Sequence, residues 1–187
     1  MRKTILPLML LLASMSSLAS SHDDRSESAY NYLESGLGTM KIDGVGNGLY
    51  LALGGSGTFN NFIISGQFSI DLDSTADAKV SRFGLGYYWN MSQQSDLIVS
   101  YSSSKLSLKL DGGSTGSANE DTINLGLASY LSDNSSANVA FSVPLSGGSV
   151  GFSFGGNYWL SDSTAIHFGH DTNTGGDSSS LTLRFAL

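Results

Sequence analysis

From about residue 29 to the end of the chain, large apolar residues recur at every second position, and small or polar residues fill the places between them. Val150, Phe152, Phe154, Tyr158 and Leu160 form one face of a run whose other face is Gly151, Ser153, Gly155 and Asn157. In the same way Phe83, Leu85, Tyr87, Trp89 and Met91 oppose Arg82, Gly84, Gly86, Tyr88 and Asn90, and Ile123, Leu125, Leu127 and Leu131 oppose Thr122, Asn124, Gly126, Ala128 and Tyr130. Leu181, Leu183, Phe185 and Leu187 oppose Ser180, Thr182, Arg184 and Ala186. Successive side chains of a strand point to opposite faces, so a period of two predicts strands rather than helices. The pattern predicts strands at 29–42, 48–58, 61–72, 79–91, 96–110, 121–131, 136–145, 149–160, 164–171 and 178–187. Most are close to the ~9–11 residues with which a tilted strand crosses a bilayer.

The connectors between these segments fall into two alternating classes. One is rich in Gly and Asp and variable in length: 43–47, 73–78, 111–120, 146–148 and 172–177. The other is short and self-similar: Trp89-Asn90-Met91-Ser92, Tyr130-Leu131-Ser132-Asp133 and Tyr158-Trp159-Leu160-Ser161-Asp162. Alternating short turns and longer loops are what an antiparallel up-and-down barrel presents at its two ends. The expectation is an all-β transmembrane barrel of about ten strands, with eight as the alternative if one weak hairpin stands outside the membrane. Tyr87, Trp89, Tyr158 and Trp159 are the expected interfacial aromatics, because these rings combine an apolar body with a polar tip.

The chemistry of the two faces separates a membrane barrel from a soluble one. A soluble barrel buries its large apolar face and carries charge and long polar groups outside. Here the second face is mostly Gly, Ser, Ala, Asn and Thr, which suits a crowded lumen and leaves the Leu, Phe, Val and Tyr face for lipid. The first residues agree with export: Arg2 and Lys3 precede an apolar run from Ile5 to Ala13, and Ser17-Leu18-Ala19 supplies the small residues of a cleavage site. The chain therefore divides into a signal peptide at 1–19, a polar leader at 20–28 and a barrel at 29–187. The apolar run of the signal is about half of the ~20 residues that a spanning helix needs.

Composition narrows the chemistry further. The 187 residues include no cysteine, which excludes disulfides, thiol nucleophiles and Cys-ligated zinc. Nine Lys and Arg against sixteen Asp and Glu give a net charge of −7, which offers no footprint for nucleic acid.

With these features in place, the chain resembles the bacterial outer-membrane β-barrel superfamily, in particular small porin-like barrels of eight to ten strands. The resemblance spans Tyr30 to Leu187. It is carried by the opening Tyr30-Asn31-Tyr32-Leu33-Glu34-Ser35-Gly36-Leu37-Gly38, by Gly84-Leu85-Gly86-Tyr87-Tyr88 with its Trp89–Ser92 turn, and by the closing Ser180-Leu181-Thr182-Leu183-Arg184-Phe185-Ala186-Leu187. The resemblance implies an outer-membrane location, contact with the lipid bilayer and lipopolysaccharide, and a C-terminal assembly signal, centred on Phe185 and Leu187, that is read by the outer-membrane assembly machinery. The signal differs from the usual form in ending on Leu187 rather than Phe and in having Thr182 where Gly is common.

Charges on the small-residue face would point into the lumen: Glu34, Arg82, His167, Asp171 and Arg184, with Asp71 near the rim. Buried charges must pair, so a network is expected in which Glu34 meets Arg82 or Arg184, aided by Tyr50, Tyr88, Asn124 and Asn157. The same groups could instead line a selectivity filter. In 97–110 the apolar phase flips, from Leu97, Val99 and Tyr101 to Leu106, Leu108 and Leu110. Either a β-bulge within Ser102–Ser104 turns Lys105 and Lys109 inward, or the strand leaves the membrane and continues as an exposed hairpin stem.

Enzymatic signals are weak. His170 and Thr172 have a faint similarity to the His-x-Ser-Asn stretch of outer-membrane lipid A deacylases, but Thr172 stands in place of the nucleophilic serine and the partner acid would fall at Ala186. His167 and His170 have opposite strand phase and make a poor metal pair. Asp43, Asp71, Asp73, Asp77, Asp111, Glu120, Asp121, Asp171 and Asp177 crowd the expected outer loops and rim, where they form a solvated acidic surface without the spacing of a calcium loop. No cofactor and no metal are expected.

The functional expectation is a non-enzymatic structural or surface-exposed barrel protein. The alternatives are a narrow porin-like channel, an adhesin and, remotely, a lipid A-modifying hydrolase. A folded membrane barrel resists detergent, so the extracted protein is expected to migrate differently boiled and unboiled; a single band at both conditions removes the lipid-facing reading.

Overall fold

A computed structural model describes residues 29–42, 46–72, 76–92, 94–110, 114–173 and 176–187. The expected signal peptide at 1–19 and leader at 20–28, along with Asp43, Asp73 and Asp111, lie outside the described residues. Ten strands follow a single helical turn at Ala29–Tyr30: β1 Tyr32–Ile42, β2 Gly46–Phe59, β3 Phe62–Asp71, β4 Ala76–Ser92, β5 Ser95–Leu110, β6 Thr115–Ser132, β7 Ser135–Pro144, β8 Gly151–Ser161, β9 Thr164–Asn173 and β10 Gly176–Ala186. Each pairs antiparallel with its sequence neighbours, and β1 pairs with β10 from Tyr32↔Ala186 to Ile42↔Gly176, which closes the barrel. The fold is thus an all-antiparallel, up-and-down barrel of ten strands, and the eight-strand alternative is set aside.

The barrel is sorted inside out. Phe62, Ile64, Phe83, Leu85, Leu125, Phe141, Phe154, Phe168, Leu181 and Leu183 are all exposed on the outer surface. Apart from Leu51, the buried positions are instead Ala52, Ala78, Ala165 and Ala186, the tyrosines Tyr30, Tyr50 and Tyr88, and polar groups such as Glu34, Asp96, Asn157 and Thr182. Small residues are needed where the wall is crowded: a Cβ on Gly38 would run into the ring of Tyr50, its partner across β1 and β2.

The repeated short connectors have one structural cause. The registers of β4–β5, β6–β7 and β8–β9 each shift at the repeat, between Asn90 and Ser92, Tyr130 and Ser132, and Trp159 and Ser161. The residue between each pair is the large apolar one, Met91, Leu131 or Leu160, and all three are exposed. The following serine closes the turn by accepting a backbone hydrogen bond two residues on: Gln94 N to Ser92 Oγ at 3.1 Å, Asn134 N to Ser132 Oγ at 3.2 Å and Ser163 N to Ser161 Oγ at 3.4 Å. A fourth tight turn, Asn60-Asn61, lacks the repeat and uses a left-handed Asn60 at φ 53° instead. The next hairpin along donates into each of the four: Tyr88 N to Asn61 O, Tyr130 N to Gln94 O, Trp159 N to Asn134 O and Ala186 N to Ser163 O.

Two sequence expectations are corrected. Residues 115–120 belong to β6 rather than to a loop, since Lys105↔Asn119 and Lys109↔Thr115 continue the β5–β6 ladder without a break. No bulge occurs within Ser102–Ser104, because β4 and β5 stay in register from Ala76↔Leu110 to Asn90↔Asp96. The phase flip is therefore an inversion of chemistry along one unbroken strand. Lys105 and Lys109 face outward and are exposed, while Leu106 points into the lumen. β4, β5 and β6 have 17, 16 and 18 residues against 10 in β3 and β7, so this sector overhangs its neighbours at the long-loop end. The natural absence of cysteine makes a direct check available: Lys105→Cys and Lys109→Cys are expected to react rapidly with a bulky hydrophilic maleimide in folded protein, and Leu106→Cys slowly. Fast labelling at 106 with protection at 105 would restore the bulge.

Candidate functional site: the lumen

Three layers of polar contacts fill the interior. The lowest lies at the tight-turn mouth, where the helical turn before β1 sends Tyr30 across the opening. Its ring stacks on Tyr88 of β4 at 4.8 Å, and its hydroxyl donates to Asp96 Oδ2 of β5 at 2.8 Å. Asp96 is 1% exposed, the most buried charged group described, and its second oxygen accepts from Asn90 Nδ2 at 2.8 Å. Burial, together with nearby Tyr130 and the Asp96 carboxylate, pushes the Tyr30 phenol above its ordinary range, so it stays a donor. Beside this plug the Tyr130 hydroxyl is buried without a hydrogen-bond partner.

The middle layer is carried by β1, β8, β9 and β10. Arg184 Nε donates to Glu34 Oε2 at 2.8 Å, Arg184 Nη1 donates to Asn157 Oδ1 at 3.0 Å, and Thr182 Oγ1 donates to Glu34 Oε2 at 3.2 Å. His167 Nδ1 lies 2.9 Å from the same Asn157 oxygen, and the Arg184 guanidinium sits 4.0 Å from the centroid of the Tyr32 ring. The expected partner choice for Glu34 is resolved in favour of Arg184, since Glu34↔Arg184 is a directly paired position of the closing seam.

The third layer is a waist. Arg82 Nη1 of β4 reaches Asp171 Oδ2 of β9 at 3.7 Å, and Arg82 Nε donates to Ser104 Oγ at 3.2 Å. β4 and β9 are five strands apart in either direction around a ring of ten, so the ion pair spans the lumen diameter. Its side chains keep 36% and 39% of their surface accessible, against 12% and 10% for Arg184 and Glu34. Below the waist is a cavity of about 390 Å³ and above it one of about 330 Å³; Arg82, Ser104, Glu120 and Asp171 line both. The upper cavity adds an apolar side from Met40, Val80, Leu106 and Ala118.

All five charged or imidazole groups expected inside are therefore inside, but they form two separate clusters rather than one. Tyr50 and Asn124 belong to neither: Tyr50 bonds to Ser179 O at 3.4 Å, and Asn124 to Ser100 and Ser102. Glu120, expected among the acids of the outer loops and rim, stands instead in the wall of the waist, because the six extra residues of β6 continue the strand through it. The alternation does not single out Asp96 or Tyr30. Counting by twos back from Ser100 would have put Asp96 inside, but the inward Ile98 between them hides the phase. Tyr87, Trp89 and Tyr158 lie on the outer surface, with Tyr87 against Trp89 at 4.7 Å and against Phe62 at 5.0 Å. Trp159 does not join them. It has the phase of Asn157 and pairs with buried Ala165, because two consecutive aromatics of a strand cannot share a face. His170 takes the outer phase, 5.1 Å from the Phe154 ring and 2.8 Å from Ser179 Oγ, away from His167. Among the described residues no group of His, Asp and Glu is arranged to hold a metal. Phe185 and Leu187 end the seam strand, where Leu187 N donates to Asn31 O at 3.0 Å.

No family model and no curated protein matches the sequence. Among solved structures the chain is similar to the KdgM porin, at 7% identity over 83% of this chain and 99% of that one, with a TM-score of 0.50. It is similar to the KdgM porin in complex with disordered oligogalacturonate, at 7% identity and the same coverage with a TM-score of 0.51, and to the NanC porin, at 9% identity over 84% and 100% with a TM-score of 0.49. At these identities the likeness shows the fold. Closed, antiparallel, apolar outside and polar within, the chain shares the barrel fold of the KdgM porin.

The middle layer yields a prediction. Removing one member of a buried ion pair strands the other, at a cost of about 3–5 kcal/mol. Arg184→Gln is expected to lower the temperature of the gel-mobility transition markedly, and Arg82→Gln much less, given the greater exposure of the waist pair. Equal shifts would mean that the two clusters act as one network.

Proposed function

We propose that the protein is an outer-membrane barrel that passes small solutes through a narrow lumen, without catalysis. The observation that carries this reading is the pair of cavities stacked on a shared waist whose Arg82 and Asp171 remain over one-third accessible. A barrel built only as a membrane plug has no need of such space. The oligogalacturonate held by the KdgM porin is not carried over to this chain.

In this reading the signal peptide is removed after export, the tight turns and both termini lie in the periplasm, and the longer connectors lie outside. The outward Lys79, Lys105 and Lys109 stand beyond the band of Phe68, Phe83 and Leu85, at the height where lipopolysaccharide phosphates would meet them. The seam strand ending in Phe185 and Leu187 would be the segment offered to the assembly machinery.

A structural, non-conducting role is the second reading, favoured by the Tyr30 plug with its stack on Tyr88 and its bond to Asp96. Planar-bilayer recording separates the two. Small, stable currents are expected from the natural protein, with larger ones from Arg82→Gln combined with Asp171→Asn, which removes the bar across the lumen. Tyr30→Ala should also raise conductance. Silence from all three, each folded by the gel-mobility criterion, establishes the structural role instead.

A further inference from the structure

The charged side chains of the barrel are sorted by sign across its wall. Each of the four described lysines, Lys41, Lys79, Lys105 and Lys109, is exposed and has the outward phase of its strand. The guanidiniums Arg82 and Arg184 are the two described cations fixed inside, and each is held by a carboxylate, Asp171 or Glu34. Inward carboxylates outnumber them. At the upper level Asp71 pairs across β2 and β3 with inward Tyr50, while Glu120 and Asp171 line both cavities around the waist. At the lower level Glu34 and Asp96 are buried at 9% and 1% exposure.

Among the described residues, five inward carboxylates stand against two inward guanidiniums, an excess of three negative charges, and a protonated His167 would not change the sign. Position matters as much as number. Glu120 and Asp171 stand at the waist shared by both cavities, so a solute moving between them passes within reach of both. A narrow lumen with low-dielectric walls focuses that field rather than letting bulk water screen it.

We infer that the lumen selects small cations over anions, through the field of the carboxylates around the waist. The inference rests on the channel reading above and supplies its substrate class: inorganic cations and small protonated amines rather than acidic sugars or other anions. The outer lysines do not oppose this, because the barrel wall separates them from the passage.

The test is the reversal potential of the full-length protein in a planar bilayer with potassium chloride at unequal concentrations on the two sides. The natural protein is expected to favour potassium over chloride by roughly tenfold. Asp71→Asn combined with Glu120→Gln should bring that ratio several-fold closer to one, whereas Lys105→Gln combined with Lys109→Gln, on the outer face, should leave it unchanged. A reversal potential at zero or on the chloride side, with current flowing, overturns the selectivity and leaves the channel standing. A ratio unmoved by the Asp71 and Glu120 substitutions also overturns it. No current from barrels that pass the gel-mobility criterion overturns the channel, and the selectivity with it. Should the double variant fail to fold, the sign of the natural protein's reversal potential decides alone.

Discussion

Everything in this molecule depends on the hydrogen bonds between β1 and β10. A lipid interior offers no partner for a backbone N–H or C=O, and an open sheet edge there would leave a whole row of them unpaired at several kcal/mol each. Eleven paired positions from Tyr32↔Ala186 to Ile42↔Gly176 remove that edge. Closure then dictates the side-chain pattern. Once the sheet is a tube, every second residue faces lipid and every other one faces a lumen only a few side chains across. Phe, Leu and Ile are tolerated outside at no cost, and the inside takes Gly, Ala, Ser and whatever polar groups can satisfy one another.

That inner requirement explains why the two ion pairs differ. Arg184 and Glu34 lie on the closing seam itself, where Asn157 of β8 and Thr182 of β10 complete their hydrogen bonds and bury them. Arg82 and Asp171 meet across the whole diameter, with Ser104 as a neutral partner of the guanidinium, and stay over one-third accessible. The seam pair stabilises the barrel; the waist pair controls what space remains within it. A fold shared with porins supports either a filled or a conducting interior, so the decision rests on this local difference.

Most of the barrel was legible because its signal is local. Alternation fixes strand phase residue by residue, and the serine-bearing turn repeat marks the end where β4, β6 and β8 double back. What escaped was whatever broke the period or lay outside it. In β5 the apolar residues change face at Ser102–Ser104 with no change in backbone, since beyond the lipid there is no longer a reason for the outer face to be apolar. Lys105 outside and Leu106 inside are each acceptable there, and the pattern alone cannot tell that from a bulge. Glu120 is hard to place from sequence for the same reason, because β6 continues past the apolar band where loop composition begins. Tyr30 belongs to no strand, and its role at the mouth comes from a single turn of helix. The pairing of Glu34 with Arg184 rather than Arg82 required the seam register, which is a long-range property.

Asn31 shows what closure demands in time as well as in space. Its side chain accepts from Thr58 N at 2.6 Å and donates to Thr58 Oγ1 at 2.8 Å, and its carbonyl accepts from the amide of Leu187. One residue near the start of the barrel thus clasps the second strand and the last residue of the chain together. Such a contact cannot form until the final strand has been made, and a chain with so distant a pairing pays its loop-closure entropy before the seam repays it. Leu187 is therefore a latch, and a change that unseats it acts on the last step of barrel closure.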